Sequence, residues 1–372
     1  MTKNYQIAVL SGDGIGPEVI NETIKVLDAV AQTYVFELQY QQALIGAIAI
    51  DQTNEPLPLQ TIEACKQADA VLFGAIGDPK YDNDPNAAVR PEQGLLALRK
   101  ELGLFANVRP VKAYKKLLDK SPLRTEIIQH TDLIIFRELI SGIYFGDKKI
   151  SSDGRVATDT CTYTQEEIEN IAHLAFQSAV KRNNKLTLID KANVLETSRL
   201  WRRVVQSLAT QYPTVEVDYM FVDNAAMQLI LNPKQFDVIL TENMFGDIIS
   251  DEASVIGGSI GLLPSASIGD KTALFEPIHG SYPQAKNKGI ANPIASILSG
   301  AMMLDHLGEH DAADAIRDAV LHAINQGILT PDLATDTTYT TNAVGDHIAN
   351  HVRYRTGHRY QDNMTHSKST II

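Results

Sequence analysis

YQIAVLSGDGIGPE, residues 5–18, carries an apolar run, a glycine-rich turn and the start of a helix in one stretch. Residues 5–10 read as a buried strand, and Pro17 opens a helix over 17–31, because proline's fixed φ and missing N–H suit a first helical turn. Between them, Gly12-Asp13-Gly14-Ile15-Gly16 is spaced G-x-G-x-G, not the G-x-G-x-x-G of a dinucleotide-binding turn. No Asp or Glu closes a second strand at the distance a ribose contact needs. The turn therefore reads as a tight glycine bend, and the fold as α/β without a Rossmann site.

Working outward, apolar runs at 69–74, 132–138, 185–190 and 236–241 repeat the pattern. Each precedes a polar or Gly-containing loop and usually a helical stretch, which predicts an α/β architecture with much parallel sheet. Residues 143–163 break it. Two β-rich halves flank Ser152-Asp153-Gly154-Arg155, a hairpin signal. A protruding two-stranded arm is unstable alone, so it points to a second copy of the chain as partner. From 354 to 372 the sequence is polar, mildly basic and aperiodic, and is expected to form a flexible tail.

Composition narrows the function. The chain has 372 residues, is 44% hydrophobic and carries a net charge of −12. A uniformly acidic protein with no basic stripe is a poor nucleic-acid binder. No apolar run approaches the ~18 residues of a membrane span. Cys65 and Cys161 lie in unrelated contexts without ligand spacing, as reduced thiols do. With no signal-peptide pattern at the N-terminus, a cytoplasmic location is expected.

The chemistry concentrates in TENMFGDIISDE, residues 241–252. It follows a strand, where α/β proteins collect ligands. Asp247 and Asp251 are four apart, so a helix puts both carboxylates on one face. Their repulsion becomes useful around a divalent cation, although a lone Asp-x-x-x-Asp is more often a solvated face. Asp223, after the apolar run 219–222, reads either as an N-cap or as a third carboxylate for Mg2+ or Mn2+. Arg99, Arg109 and Arg137 offer forks for carboxylates. Their bland alternative is local ion pairing, for example Arg137 with Glu138. Lys191, at the end of KLTLID, suits a base beside a metal, and Tyr144 a proton donor. A plain core aromatic is the alternative for Tyr144.

Taken together, these strings resemble the β-decarboxylating dehydrogenase family that contains isocitrate and isopropylmalate dehydrogenases. The resemblance runs from about Ile7 to His351. It rests on GDGIGPE (12–18), RPEQGLLALRKELGLFANVRP (90–110), RELISGIYFG (137–146), DKANVLE (190–196), VDNAAMQLI (222–230), TENMFGDIISDEAS (241–254) and LFEPIHGSYPQAKNKGIANP (274–293). It implies a two-domain, non-Rossmann fold with mixed sheets. One domain would join 1–104 to 258–353. The other would be 105–257, with a dimer-forming arm at about 143–163. The implied homodimer shares its active sites, with Lys191 and Asp223 reaching into the partner's cleft.

The implied activity is NAD-dependent oxidation and decarboxylation of 3-isopropylmalate in leucine synthesis. Arg99, Arg109 and Arg137 would hold carboxylates, Lys191 and Tyr144 would be catalytic, and Asp223, Asp247 and Asp251 would hold Mg2+ or Mn2+. Glu276, His279, Gly280, Ser281, Gln284, Ala291 and Asn292 match cofactor positions, and Glu92 matches one beside the nicotinamide. Gln284 stands where NAD-specific relatives carry Asp. Leu95, Leu96 and Val194 match the pocket for the isopropyl group, whose burial is worth roughly 2 kcal/mol. Isocitrate-using relatives have Ser and Asn at the matches of Gln93 and Leu95. Ala47 and Ser141 replace usual glycines. The alternatives are a relative acting on isocitrate, homoisocitrate or tartrate, and a non-catalytic metabolite-binding regulator.

Overall fold

The computed structural model describes residues 2–83 and 88–354; the expected tail lies outside the described residues from 355 onward. Twelve strands are described: β1 (Lys3–Gly12), β2 (Phe36–Gln42), β3 (Ala70–Ala75), β4 (Leu104–Lys112), β5 (Asp132–Glu138), β6 (Lys148–Ile150), β7 (Ala157–Asp159), β8 (Lys185–Asp190), β9 (Glu216–Phe221), β10 (Val238–Thr241), β11 (Pro264–Gly269) and β12 (Ala273–Pro277). The described residues fall into two compact units, one of residues 2–104 and 259–354, the other Phe105–Gly258.

In the first unit the strand order is β2-β1-β3-β12-β11. β1 pairs in parallel with β2 and β3, and β12 with β3. Only β11 and β12 run antiparallel. Ile7 to Leu10 have no exposed surface, and every residue of β3 is buried. Parallel strands covered on both faces read as continuous apolar runs for this reason. Helix Gly16–Tyr34 starts with Pro17 in its first turn. Helix Ile294–His306 (IASILSGAMMLDH) is buried almost throughout, which its apolar or small side chains up to Leu304 permit, while buried Asp305 pairs with Arg317.

The glycine turn is a structural hub. Gly12 and Gly14 have φ of 68° and 56°, a region that penalises a Cβ. A Cβ on Gly14 would lie 1.9 Å from the Ser281 carbonyl oxygen. Ile15 N donates to that same oxygen at 2.8 Å. The Asp13 carboxylate accepts from the backbone N–H groups of Ala47, Ile48 and Gly77 at 2.9, 3.0 and 2.9 Å. Burial raises the Asp13 pKa in spite of these bonds.

In the second unit β4 is antiparallel to β5, and β5, β10, β8 and β9 are parallel in that order. Ile135, Ile189 and Ile239 from the sheet pack with Leu229 and Ile249 from two helices. The expected hairpin is present: β6 pairs antiparallel with β7, and Gly154 has a φ of 70° in the turn. All six strand residues are exposed. Ser141, one of the two expected glycine replacements, has a φ of −130°, so its side chain is accommodated without strain. Ala47, the other, is the first residue of helix Ala47–Thr53.

Candidate active site

The parallel strands β5, β10, β8 and β9 end on one edge of the second unit's sheet. Thr241 is in register with Arg137 and Ile189, and Asp190 with Phe221. This edge therefore gathers Arg137, the residues after Thr241, Lys191 after Asp190, and Asp223 after Phe221. Ligands of open α/β sheets bind at such carboxyl ends.

Asp247 and Asp251 lie on helix Asn243–Ser254, and each is matched to an arginine. Arg137 Nη1 donates to Asp247 Oδ1 at 2.5 Å. Tyr144 OH donates to Asp247 Oδ2 at 2.9 Å. Arg109 Nη1 donates to Asp251 Oδ1 at 3.0 Å and to Ser250 Oγ at 2.6 Å, while its Nε donates to Asn107 Oδ1 at 2.7 Å. Gly246 lets the helix approach Arg137: a Cβ there would lie 2.6 Å from Arg137 Cγ. Partial burial raises the Tyr144 pKa, and its bond to Asp247 raises it further, so the phenol keeps its proton. Glu138 faces elsewhere, accepting from Ile140 N and Ser141 N at 2.8 and 3.1 Å, since successive strand side chains alternate.

Lys191 Nζ donates to Asp223 Oδ1 at 2.7 Å. That bond holds the Asp223 carboxyl below its usual range. Asp223 sits inside the first turn of helix Val222–Leu231, whose N-cap is Phe221, so the capping alternative is not its role. Val194 is 61% exposed. Among the described residues no three His, Cys, Asp or Glu side chains converge as a metal site. Within one chain Asp247 and Asp251 supply hard oxygen donors one helical turn apart, which fits Mg2+ or Mn2+ with a further ligand from elsewhere.

The first unit places the other candidates. Helix Pro91–Glu101 carries Glu92, Leu95, Leu96 and Arg99. Leu95 and Arg99 are four apart, on one face; Leu95 is half-buried and Leu96 largely exposed. Gln93 is committed to the helix start, its Oε1 accepting from Arg90 N at 2.9 Å. Arg99 Nη2 donates to Glu276 Oε1 at 3.0 Å, and both side chains are largely buried. The Arg99 Nε is buried without a partner among the described residues.

Glu276 lies on β12, which leads into the loop of His279, Gly280, Ser281 and Gln284. A Cβ on Gly280 would meet nothing within 4 Å, so the backbone there is open to a guest. Burial lowers the His279 pKa, and its Nε2 is buried without a partner among the described residues. The imidazole is therefore neutral, with the Nε2 hydrogen-bonding capacity unspent. Glu92 is exposed and Oε1 approaches Gly77 closely enough that a Cβ there would lie 2.8 Å away. Gln284 is exposed. Ala291 and Asn292 are buried, and Asn292 is structural as well: its Oδ1 accepts from Ile294 N at 3.0 Å and its Nδ2 donates to Asp332 at 3.1 Å. Two residues that bind the arginines, Ser250 and Asn243, went unassigned in the sequence although both stand in the 241–252 string.

A family model described as isocitrate/isopropylmalate dehydrogenase matches residues 6–348. The chain belongs to that family. As a member of this dehydrogenase family it is an enzyme, an oxidoreductase. A 3-isopropylmalate dehydrogenase of Wolinella succinogenes is 54% identical over 353 residues, 94% of this chain and 98% of that protein. One from Aquifex aeolicus is 52% identical over 338 residues, covering 90% and 93%. Among solved structures, an isocitrate dehydrogenase from Methylococcus capsulatus aligns with a TM-score of 0.84 at 35% identity, covering 94% of this chain and 99% of that one. A β-decarboxylating dehydrogenase from Thermococcus kodakarensis aligns with 0.78 at 38% identity, covering 94% and 96%. Both are isocitrate/isopropylmalate-type folds, in keeping with the mixed sheets found here.

Proposed function

We propose that the protein oxidises 3-isopropylmalate with NAD and decarboxylates the product to 4-methyl-2-oxopentanoate and CO2, a step of leucine synthesis. The observation that carries this reading is the meeting of Arg137 and Tyr144 on Asp247, at the strand ends that also bear Lys191. Relatives above half identity bear the matching name.

Arg99, Arg109 and Arg137 are assigned to the substrate carboxylates, and Leu95, Leu96 and Val194 to its branched alkyl group. Asp247 and Asp251, with the partner subunit's Asp223, are assigned to a divalent cation. Bound Mg2+ or Mn2+ supplies electrophilic polarisation of the substrate's hydroxyl and, later, carbonyl oxygen. NAD+, when bound, would supply the hydride acceptor for oxidation at C2. The partner subunit's Lys191 is assigned to receive the hydroxyl proton. When the carboxylate on C3 leaves as CO2, the bond's electron pair remains on C3, and Tyr144 delivers the proton there. Glu276, His279, Gly280, Ser281 and Gln284 are assigned to the cofactor, with Glu92 beside the nicotinamide. Gln284 can hydrogen-bond the ribose but does not repel a 2′-phosphate.

Homodimerisation is part of the proposal. It is supported by the exposed hairpin and by exposed Met227, Ile230, Leu231 and Ile248 on two packed helices of the second unit. A cytoplasmic location is supported by two free thiols, Cys65 being buried with its pKa pushed up to about 12. No helix of the described residues is long and apolar enough to cross a membrane. Against isocitrate stand Leu95 and Gln93, whose oxygen is spent on its own helix.

The test follows cofactor reduction with 3-isopropylmalate, isocitrate and tartrate, using NAD+ and NADP+, with Mn2+ or EDTA. Reduction of NAD+ with 3-isopropylmalate, abolished by EDTA, is expected. A higher kcat/KM for isocitrate overturns the substrate assignment.

A further inference from the structure

Arg137 emerges from β5 into a buried setting and is itself 5% exposed. The first turn of helix Asn243–Ser254 wraps it at three levels. Asn243 Oδ1 accepts from Arg137 Nε at 3.2 Å and from Nη2 at 3.0 Å. Gly246 lies against the aliphatic stem. Asp247 takes Nη1. These positions are i, i+3 and i+4, so one helical face grips one side chain from end to end.

Asn243 is 1% exposed and fixed on its other sides. Its Nδ2 donates to the Ser141 carbonyl at 3.1 Å, and its backbone N–H donates to Tyr163 Oη at 3.0 Å. The donor to Ser141 fixes which end of the amide faces Arg137: the carbonyl. The acceptor on the Nε–Nη2 edge is thus strong, aimed and neutral. Arginine binds carboxylates bidentately through such an edge. Asp247 already pairs with Nη1, so an acid in this place would be a second anion on the same guanidinium and would weaken its pull on a substrate carboxylate.

We infer that Asn243 is a positioning residue that orients the Arg137 guanidinium while leaving its charge for a substrate carboxylate. This rests on the assignment of Arg137 to a diacid substrate. A carboxylate held before and during the reaction contributes equally to ground and transition states, so its loss appears in KM, not kcat.

The experiment compares Asn243→Asp with Asn243→Ala in the full-length protein. Steady-state kinetics give KM and kcat for 3-isopropylmalate and KM for NAD+. Calorimetry gives substrate affinity without turnover, and scanning calorimetry the melting temperature. Asp nearly matches Asn in shape, so a packing role makes Asp the milder change. The charge role makes it the harsher one in substrate binding. We expect KM for 3-isopropylmalate to rise about 30-fold in N243D and about fivefold in N243A, with kcat held within about threefold. KM for NAD+ should stay within about twofold, since the perturbed group binds substrate. Loss of the bond to Ser141 is read separately, as a lower melting temperature in both.

An N243D effect on KM or calorimetric affinity no larger than that of N243A overturns the inference. So does a fall in kcat at constant KM, or loss of the melting transition in both variants, which makes Asn243 a packing residue. Wild-type enzyme that does not turn over 3-isopropylmalate refutes the functional reading instead. The same variants are then measured with the diacid it does accept.

Discussion

Glu242 is 4% exposed and stands between β10 and helix Asn243–Ser254. Burial pushes its pKa up to about 7 from an ordinary 4.5, with repulsion from Asp190 and Glu138 adding to the rise. Its contact with the Ser198 hydroxyl opposes that rise. The folded protein therefore holds this proton more tightly than the unfolded chain. The stabilisation is fully present below about pH 4.5 and is lost as pH rises to about 7, above which both states are ionised. A gap of about 2.5 units is worth about 3 kcal/mol. Replacing Glu242 with Gln removes the titration and keeps an acceptor for Ser198. The variant should match wild type near pH 4.5. It should gain on wild type up to pH 7 and hold a constant lead beyond, about 6–12 °C in melting temperature for a unit of this size. Scanning calorimetry from pH 4.5 to 8.5 measures it. Ser198 also accepts from Lys191 N at 3.1 Å, so activity at pH 8 reports whether Lys191 stays in place. Two melting curves separated by a constant offset at every pH would refute the argument.

Tyr144→Phe deletes the hydroxyl on Asp247; CO2 release should slow by about 10²–10³, and oxidation, read as NADH, by less than about tenfold. Equal slowing would remove Tyr144 from the protonation step. Gln284→Asp should raise the NAD+/NADP+ ratio of kcat/KM by about tenfold or more, through repulsion of a 2′-phosphate; an unchanged ratio places the ribose elsewhere. Asp13→Ala strips three backbone N–H groups of their acceptor. At about 1–3 kcal/mol for each orphaned group, urea denaturation should show a loss of about 3–9 kcal/mol, with a raised KM for NAD+ because Gly77 is released.

Strands buried on both faces were legible because burial leaves a continuous apolar run: 132–138 and 185–190 match β5 and β8. β2 (FELQYQQ) is not legible as a continuous apolar run because it is an edge strand in which Phe36, Leu38 and Tyr40 alternate with polar residues. β4 carries Arg109 and Pro110, and β11 is mostly small residues, so neither shows strand chemistry locally. In the site, the Asp247–Asp251 spacing was readable because helical period alone fixes it. The Asn243 role was not, since an Asn at a helix start looks like a cap and its partner Arg137 is 106 residues away. Gly246, a poor helix former inside a helix, leaves room for something to come close. Only the structure says that the visitor is Arg137.

The seat that the glycine turn offers to Ser281 bears on engineering. No side chain fits at Gly14 while residues 279–285 keep their course, and Ile15, Val19, Ala285 and Ala291 form one small apolar cluster. A designer who transplants the proposed cofactor loop from a donor with different tastes brings a key without its lock. The unit to exchange is the pair, residues 12–19 together with 279–291, although the first of these never need touch a nucleotide.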